Sequence, residues 1–119
     1  MRDAFLKQLE ELHKILAEMG LLCEEMIDGT YEALTNMDRE QAAKILQDDA
    51  NVDLKERDIE SKCLKLLLEQ QPVASDLRKI SSALKMITDL ERIGDQAGDI
   101  AEIIKTTDLL EPVKATRLG

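Results

Sequence analysis

Three carboxylates recur at intervals of four in DLERIGDQAGD, residues 89–99: Glu91, Asp95 and Asp99. On a helix this spacing places them in one row on one face, where each like-charged pair costs roughly a few tenths of a kcal/mol. Gly94 and Gly98 stand in the same two turns, and each glycine costs about 1 kcal/mol relative to alanine in a helix interior. Carboxylates without thiolate or imidazole beside them suit hard cations such as Mg²⁺, Ca²⁺ or Mn²⁺, and iron in an oxygen-rich shell. The plainer alternative is a solvated acidic face paired with bases, and Lys85 with Asp89 has that spacing. A ferritin-type di-iron centre fits less well, because such bundles use Glu-x-x-His motifs and His13 is the single histidine.

The element that carries this row is one of three long helices. The chain has 119 residues and is 44% hydrophobic, with one Phe, one Tyr, no Trp and two Pro. An aliphatic composition so poor in prolines is that of a helical bundle or coiled coil. Helical periodicity runs over residues 3–35, 39–69 and 73–106. Asp38 has the N-cap position of the second helix, with Gln41 in the capping-box position. Pro72 fits the first turn of the third helix. Connections this short make neighbours antiparallel, so the expectation is an all-α, up-down-up bundle of three helices, each ~45 Å long. Residues 1–106 form that unit; residues 107–119 read as a C-terminal linker or the start of a further repeat.

The seams bring further acid to the same place. In the first helix the expected seam is Leu6, Leu9, His13, Leu16, Gly20, Cys23 and Ile27, with His13 partly buried or paired. In the second it is Ala42, Leu46, Asp49, Asp53, Glu56, Glu60, Cys63 and Leu67, acidic through its middle. In the third it is Leu77, Ile80, Leu84, Ile87, Glu91, Gly94 and Gly98. An antiparallel turn near residues 70–72 sets Asp49 level with residue 92 and Asp53 level with residue 88. Asp49, Asp53, Glu91 and Asp95 then form one cluster that can hold a metal ion. A second apolar stripe, Ala83, Met86, Leu90, Ile93, Ala97, Ile100 and Ile104, can bury the third helix while the acidic row stays accessible. The glycines would keep the surface beside the carboxylates low, so that a ligand or helix can come close. Cys23 and Cys63 have no paired spacing and read as buried core thiols.

The net charge of −9 excludes nucleic acid as a partner. No apolar run approaches the ~20 residues that span a bilayer, and the charged N-terminus is no signal peptide. The expectation is a cytoplasmic protein without membrane insertion. There is no Ser/His/Asp or Cys/His arrangement and no phosphate-cradling glycine loop, so it is not expected to be an enzyme. A two-metal hydrolase would need a base or phosphate-binding cation beside the acids.

The segment QQPVASDLRKISSALKMITDLERIGDQAGDIAEI, Gln70 to Ile103, resembles the PhoU family of phosphate-uptake regulators, above all in DLERIGD and QQPVASDLR. The upstream A-x-x-I/L-x-x-D pattern leading into DANVD fits as well. The resemblance implies one three-helix repeat, half of a six-helix bundle whose two repeats are related by a pseudo-twofold. It implies that Glu91 to Asp95 and Asp49 to Asp53 are the family's E(D)-x-x-x-D motifs, which hold a metal ion cluster of iron or zinc. It also implies a negative regulator of phosphate-starvation signalling, coupling a phosphate ABC transporter ATPase to a sensor histidine kinase. A single repeat leaves an apolar face open, so a homodimer mimicking the two-repeat protein is expected. The alternative is a helical scaffold or interaction module with a solvated acidic face and no metal.

Overall fold

The computed structural model describes residues 2–69 and 72–107. Within them lie α1 (Arg2–Asn36), α2 (Arg39–Glu69) and α3 (Ala74–Thr106), with no strand. Each helix packs on both others, giving the expected up-down-up bundle. The expected C-terminal linker lies outside the described residues beyond Thr107.

The first turn is built as the sequence suggests, with one difference. Met37 takes φ 50°, and the Asp38 amide donates back to the Ala33 carbonyl at 3.0 Å. This is a left-handed helix end made without glycine. Asp38 Oδ1 then accepts from the Glu40 and Gln41 amides at 3.1 Å each, capping α2. The Gln41 side chain does not reach back to close a capping box. It donates to Glu32 at 2.9 Å and ties α2 to α1 instead.

The second turn is held by Asp76, which sequence reasoning did not single out. Its carboxylate is 1% exposed. It accepts from the Val73 amide at 3.2 Å and from the Arg2 guanidinium at 2.7 and 3.1 Å. Arg2 also lies over the Phe5 ring, 4.9 Å from its centroid. Hydrogen bonding to Arg2 holds the Asp76 carboxyl below the usual range, against the opposing effect of burial. The latch joins the N-termini of α1 and α3, which run parallel.

The core corrects the expected seams. On α1 the buried residues are Phe5, Leu9, Leu12, Leu16, Met19, Cys23, Met26, Thr30 and Ala33. Leu9, Leu16 and Cys23 are as expected, but Leu12, Met19 and Met26 replace His13, Gly20 and Ile27. Both sets satisfy helical spacing, and the larger apolar side chains take the interior, where they remove more apolar surface from water. His13, Leu6 and Ile27 are exposed. On α2 the interior is Ala42, Ile45, Val52, Ile59, Cys63 and Leu66, while Glu60 and Leu67 face outward. On α3 it combines members of both expected stripes: Ile80, Ile87 and Gly94 from one, Ala83, Ala97 and Ile104 from the other. Both cysteines are buried and free. Cys23 donates to the Leu90 carbonyl at 3.3 Å, and burial pushes the Cys63 thiol up to about 11.

Candidate metal centre

On α2 the core stripe steps through positions 42, 45, 49, 52, 56, 59, 63 and 66, and Asp49 and Glu56 are its two acidic members. Asp49 therefore points towards α3, and what it meets there is glycine. A Cβ on Gly98 would lie 2.8 Å from Asp49 Oδ2 and 3.3 Å from its Cγ; a Cβ on Gly94 would lie 3.1 Å from Asp49 Oδ1. Among the described residues no glycine has positive φ, so the backbone does not require them. They are there for close approach. Gly94 and Gly98 are buried, and the surface they leave low is filled by the Asp49 carboxylate rather than left open to a ligand. Three carboxylate oxygens, from Asp49, Asp53 and Asp95, lie within 4.8 Å of one another.

Asp49 sits between the levels of residues 94 and 98, about one helical turn further along α3 than level pairing about residues 70–72 gives. α2 ends at Glu69 and α3 begins only at Ala74, after an extended Val73, which shifts the register of α3 against α2. Glu91 accordingly falls outside the three-carboxylate group. It is half-buried, and its carboxyl is raised by burial first, then by Asp95 and Asp53, with Asp49 not among the causes. Asp99, part of the acidic row but not of the expected ligand set, adds its charge to Asp49.

The cluster concentrates negative charge on Asp49. Burial, then the charges of Asp53, Asp95 and Asp99, push Asp49 from 3.8 up to about 6. Asp49 Oδ1 is buried with no hydrogen-bond partner, although a buried acceptor left unsatisfied costs about 1–3 kcal/mol. A hard cation would answer both features, because it supplies the missing partner and cancels the repulsion. The residues present fit an oxygen-ligated ion: Asp49, Asp53 and Asp95 as ligands, with Glu91 one turn away.

A family model for the PhoU domain matches residues 16–104, from the middle of α1 to the end of α3. The chain belongs to the PhoU family. It is similar to the phosphate-specific transport system accessory protein PhoU homolog of Clostridium acetobutylicum, at 45% identity over 105 residues, 87% of this chain and 48% of that protein. The homolog of the same name from Aquifex aeolicus is 42% identical over 96 residues, 81% of this chain and 43% of that protein. The chain thus spans about half the length of the curated relatives it matches. The crystal structure of PhoU from Pseudomonas aeruginosa superposes with a TM-score of 0.82 at 32% identity, covering 96% of this chain and 57% of that one. The all-α repeat expected from DLERIGD and QQPVASDLR is therefore the fold of this family. Among the described residues no helix is long and apolar enough to cross a membrane.

Proposed function

We propose that this chain is a metal-binding regulatory module of phosphate uptake, not an enzyme, and that it acts on a phosphate-specific transport system as its relatives' names describe for them. The observation that carries the metal part is the Asp49 carboxylate, held in a glycine cradle with an unpartnered buried oxygen beside Asp53 and Asp95. Asp49, Asp53 and Asp95 hold the ion, with Glu91 adding negative charge beside Asp95 and Asp53, and iron or zinc is the first expectation from the family resemblance. The ion would join a carboxylate of α3, Asp95, to Asp49 and Asp53 of α2. On this reading the module couples a phosphate ABC transporter ATPase to a sensor histidine kinase in the cytoplasm and represses phosphate-starvation signalling. A phosphate-starvation reporter in a strain lacking its own PhoU protein tests this. The chain is expected to lower reporter output in phosphate-replete medium, and the Asp49→Asn/Asp95→Asn variant to leave it high. Unchanged output with the unmodified chain overturns the regulatory reading.

The module is also proposed to form a homodimer. Ile27 and Leu34 on α1, and Ile100 and Ile103 on α3, are 51%, 42%, 37% and 55% exposed. They lie on one flank, just off the core stripe of each helix, and apolar patches of this kind mark association sites. Light scattering should give about twice 13.4 kDa; the monomer mass at every salt concentration contradicts a dimer.

A further inference from the structure

The carboxylate cluster lies between α2 and α3. The flank between α1 and α3 carries a different chemistry. Towards the N-terminal ends of these helices a groove of about 410 Å³ is lined by His13, Ser75, Arg78, Lys79 and Ser82. The four α3 residues come from one helical face of the PVASDLRKISS segment, at steps of three and four. Asp76, from the same segment, faces inward to the Arg2 latch. The other wall of the groove is apolar, formed by Leu16, Ala83 and Met86.

The charge of this groove runs against that of the chain. The net charge is −9, yet the groove is lined by two cations and a histidine and by no carboxylate. The α1–α2 cavity of about 210 Å³ shows the opposite, with Glu25, Asp28, Glu32 and Asp48 around Lys44. Elsewhere Arg2, Lys55 and Lys62 are paired with Asp76, Glu18 and Asp58. Arg78 and Lys79 form no ion pair within 4 Å among the described residues. The carboxylate whose titration Lys79 influences is Asp76, which already has the Arg2 fork. Ser75 lies in the first turn of α3, so the positive end of a 33-residue helix dipole adds to the same field.

Guanidinium, ammonium and two hydroxyls can all donate here, and the imidazole can too. A carboxylate would bring two oxygens and one charge to these donors. A phosphoryl group brings three terminal oxygens and about −1.5 to −2 charge at neutral pH, and matches the arginine fork. A bare phosphate ion would leave the apolar wall and most of the volume unused. We propose that the α1–α3 groove binds a small phosphomonoester, with its phosphoryl group on Arg78, Lys79 and Ser75 and its organic part against Leu16, Ala83 and Met86. This site does not depend on a metal at Asp49.

Phenyl phosphate titrated into the ¹⁵N-labelled full chain at constant ionic strength tests the proposal. Saturable shifts are expected at the amides of residues 75–86 and at His13, and not at Asp49 or Asp95. Arg78 and Lys79 are exposed, so the Arg78→Ala/Lys79→Ala variant should keep the folded spectrum and lose about tenfold or more in affinity, a loss of about 1.4 kcal/mol. Inorganic phosphate should bind more weakly than phenyl phosphate, and benzoate more weakly still. Absence of saturation, equal affinity in the double variant, or benzoate binding as well as phenyl phosphate overturns the phosphoryl assignment. Equal binding of inorganic phosphate overturns the role of the apolar wall.

Discussion

Asp49→Asn in metal-free protein isolates the cost of placing a charge in the glycine cradle. Asn keeps the shape of the side chain and removes its charge. Asp49 titrates at about 6 in the folded chain against 3.8 ordinarily, a difference worth roughly 3 kcal/mol at about 1.4 kcal/mol per pH unit. The carboxylate is only half-buried, and solvent screening reduces this to about 1–2 kcal/mol. The sign follows from proton linkage. Below the unfolded value both states are protonated and the site costs nothing. Between 3.8 and about 6 the folded state holds a proton that the unfolded state has released, so stability falls as pH rises. Above about 6 the full cost is present. The metal-free chain should therefore melt higher at pH 5 than at pH 7.5. Asp49→Asn should raise the pH 7.5 melting temperature by about 4–8 °C, at about 4 °C per kcal/mol, and flatten the dependence between pH 4 and 6. Thermal melts by circular dichroism in the presence of a chelator measure both. A variant that melts lower than the unmodified chain at pH 7.5, or that keeps its full pH slope, would refute a strained carboxylate at Asp49.

The glycines give a graded test: Gly98→Ala brings a methyl carbon to 2.8 Å from Asp49 and Gly94→Ala to 3.1 Å. Gly98→Ala should displace the carboxylate and abolish metal-induced stabilisation, with Gly94→Ala intermediate; melts with and without Zn²⁺ read this, and equal stabilisation in both contradicts the cradle. Gly94→Leu, at a buried position against Val52, should lose about 1–3 kcal/mol by overpacking, measured by urea unfolding. Arg2→Ala leaves Asp76 as a buried, unpaired charge, so it should destabilise the chain more at pH 7 than at pH 3.5, where protonation relieves the site; equal loss at both pH values in melts would remove the latch.

The fold was legible in the sequence because its signals are local and redundant. Asp38 and sustained three-four spacing place all three helices within a residue or two, although Pro72 lies just before the N-cap Val73 rather than in the first turn of α3. The seams were less legible. A helix offers candidates at both i+3 and i+4, and only packing decided for Leu12, Met19 and Met26 over His13, Gly20 and Ile27. The acidic site was legible in composition and blurred in register. Asp49, Asp53 and Asp95 come together as expected, but the shifted register of α3 leaves Glu91 outside that group. The role of the glycines was half visible. Their cost announced a close approach, while the identity of the approaching group, the Asp49 carboxylate itself, needed the register. Asp76 carried no such signal, because its partner Arg2 is 74 residues away in sequence.

Calorimetric titration of the chelator-treated chain with Zn²⁺, and anaerobically with Fe²⁺, tests the carboxylate site most directly. Saturable binding of at least one of these ions is expected, weakened strongly in Asp49→Asn and in Asp95→Asn alike. The absence of binding of both ions, or binding left unchanged in both variants, would contradict a metal centre between α2 and α3.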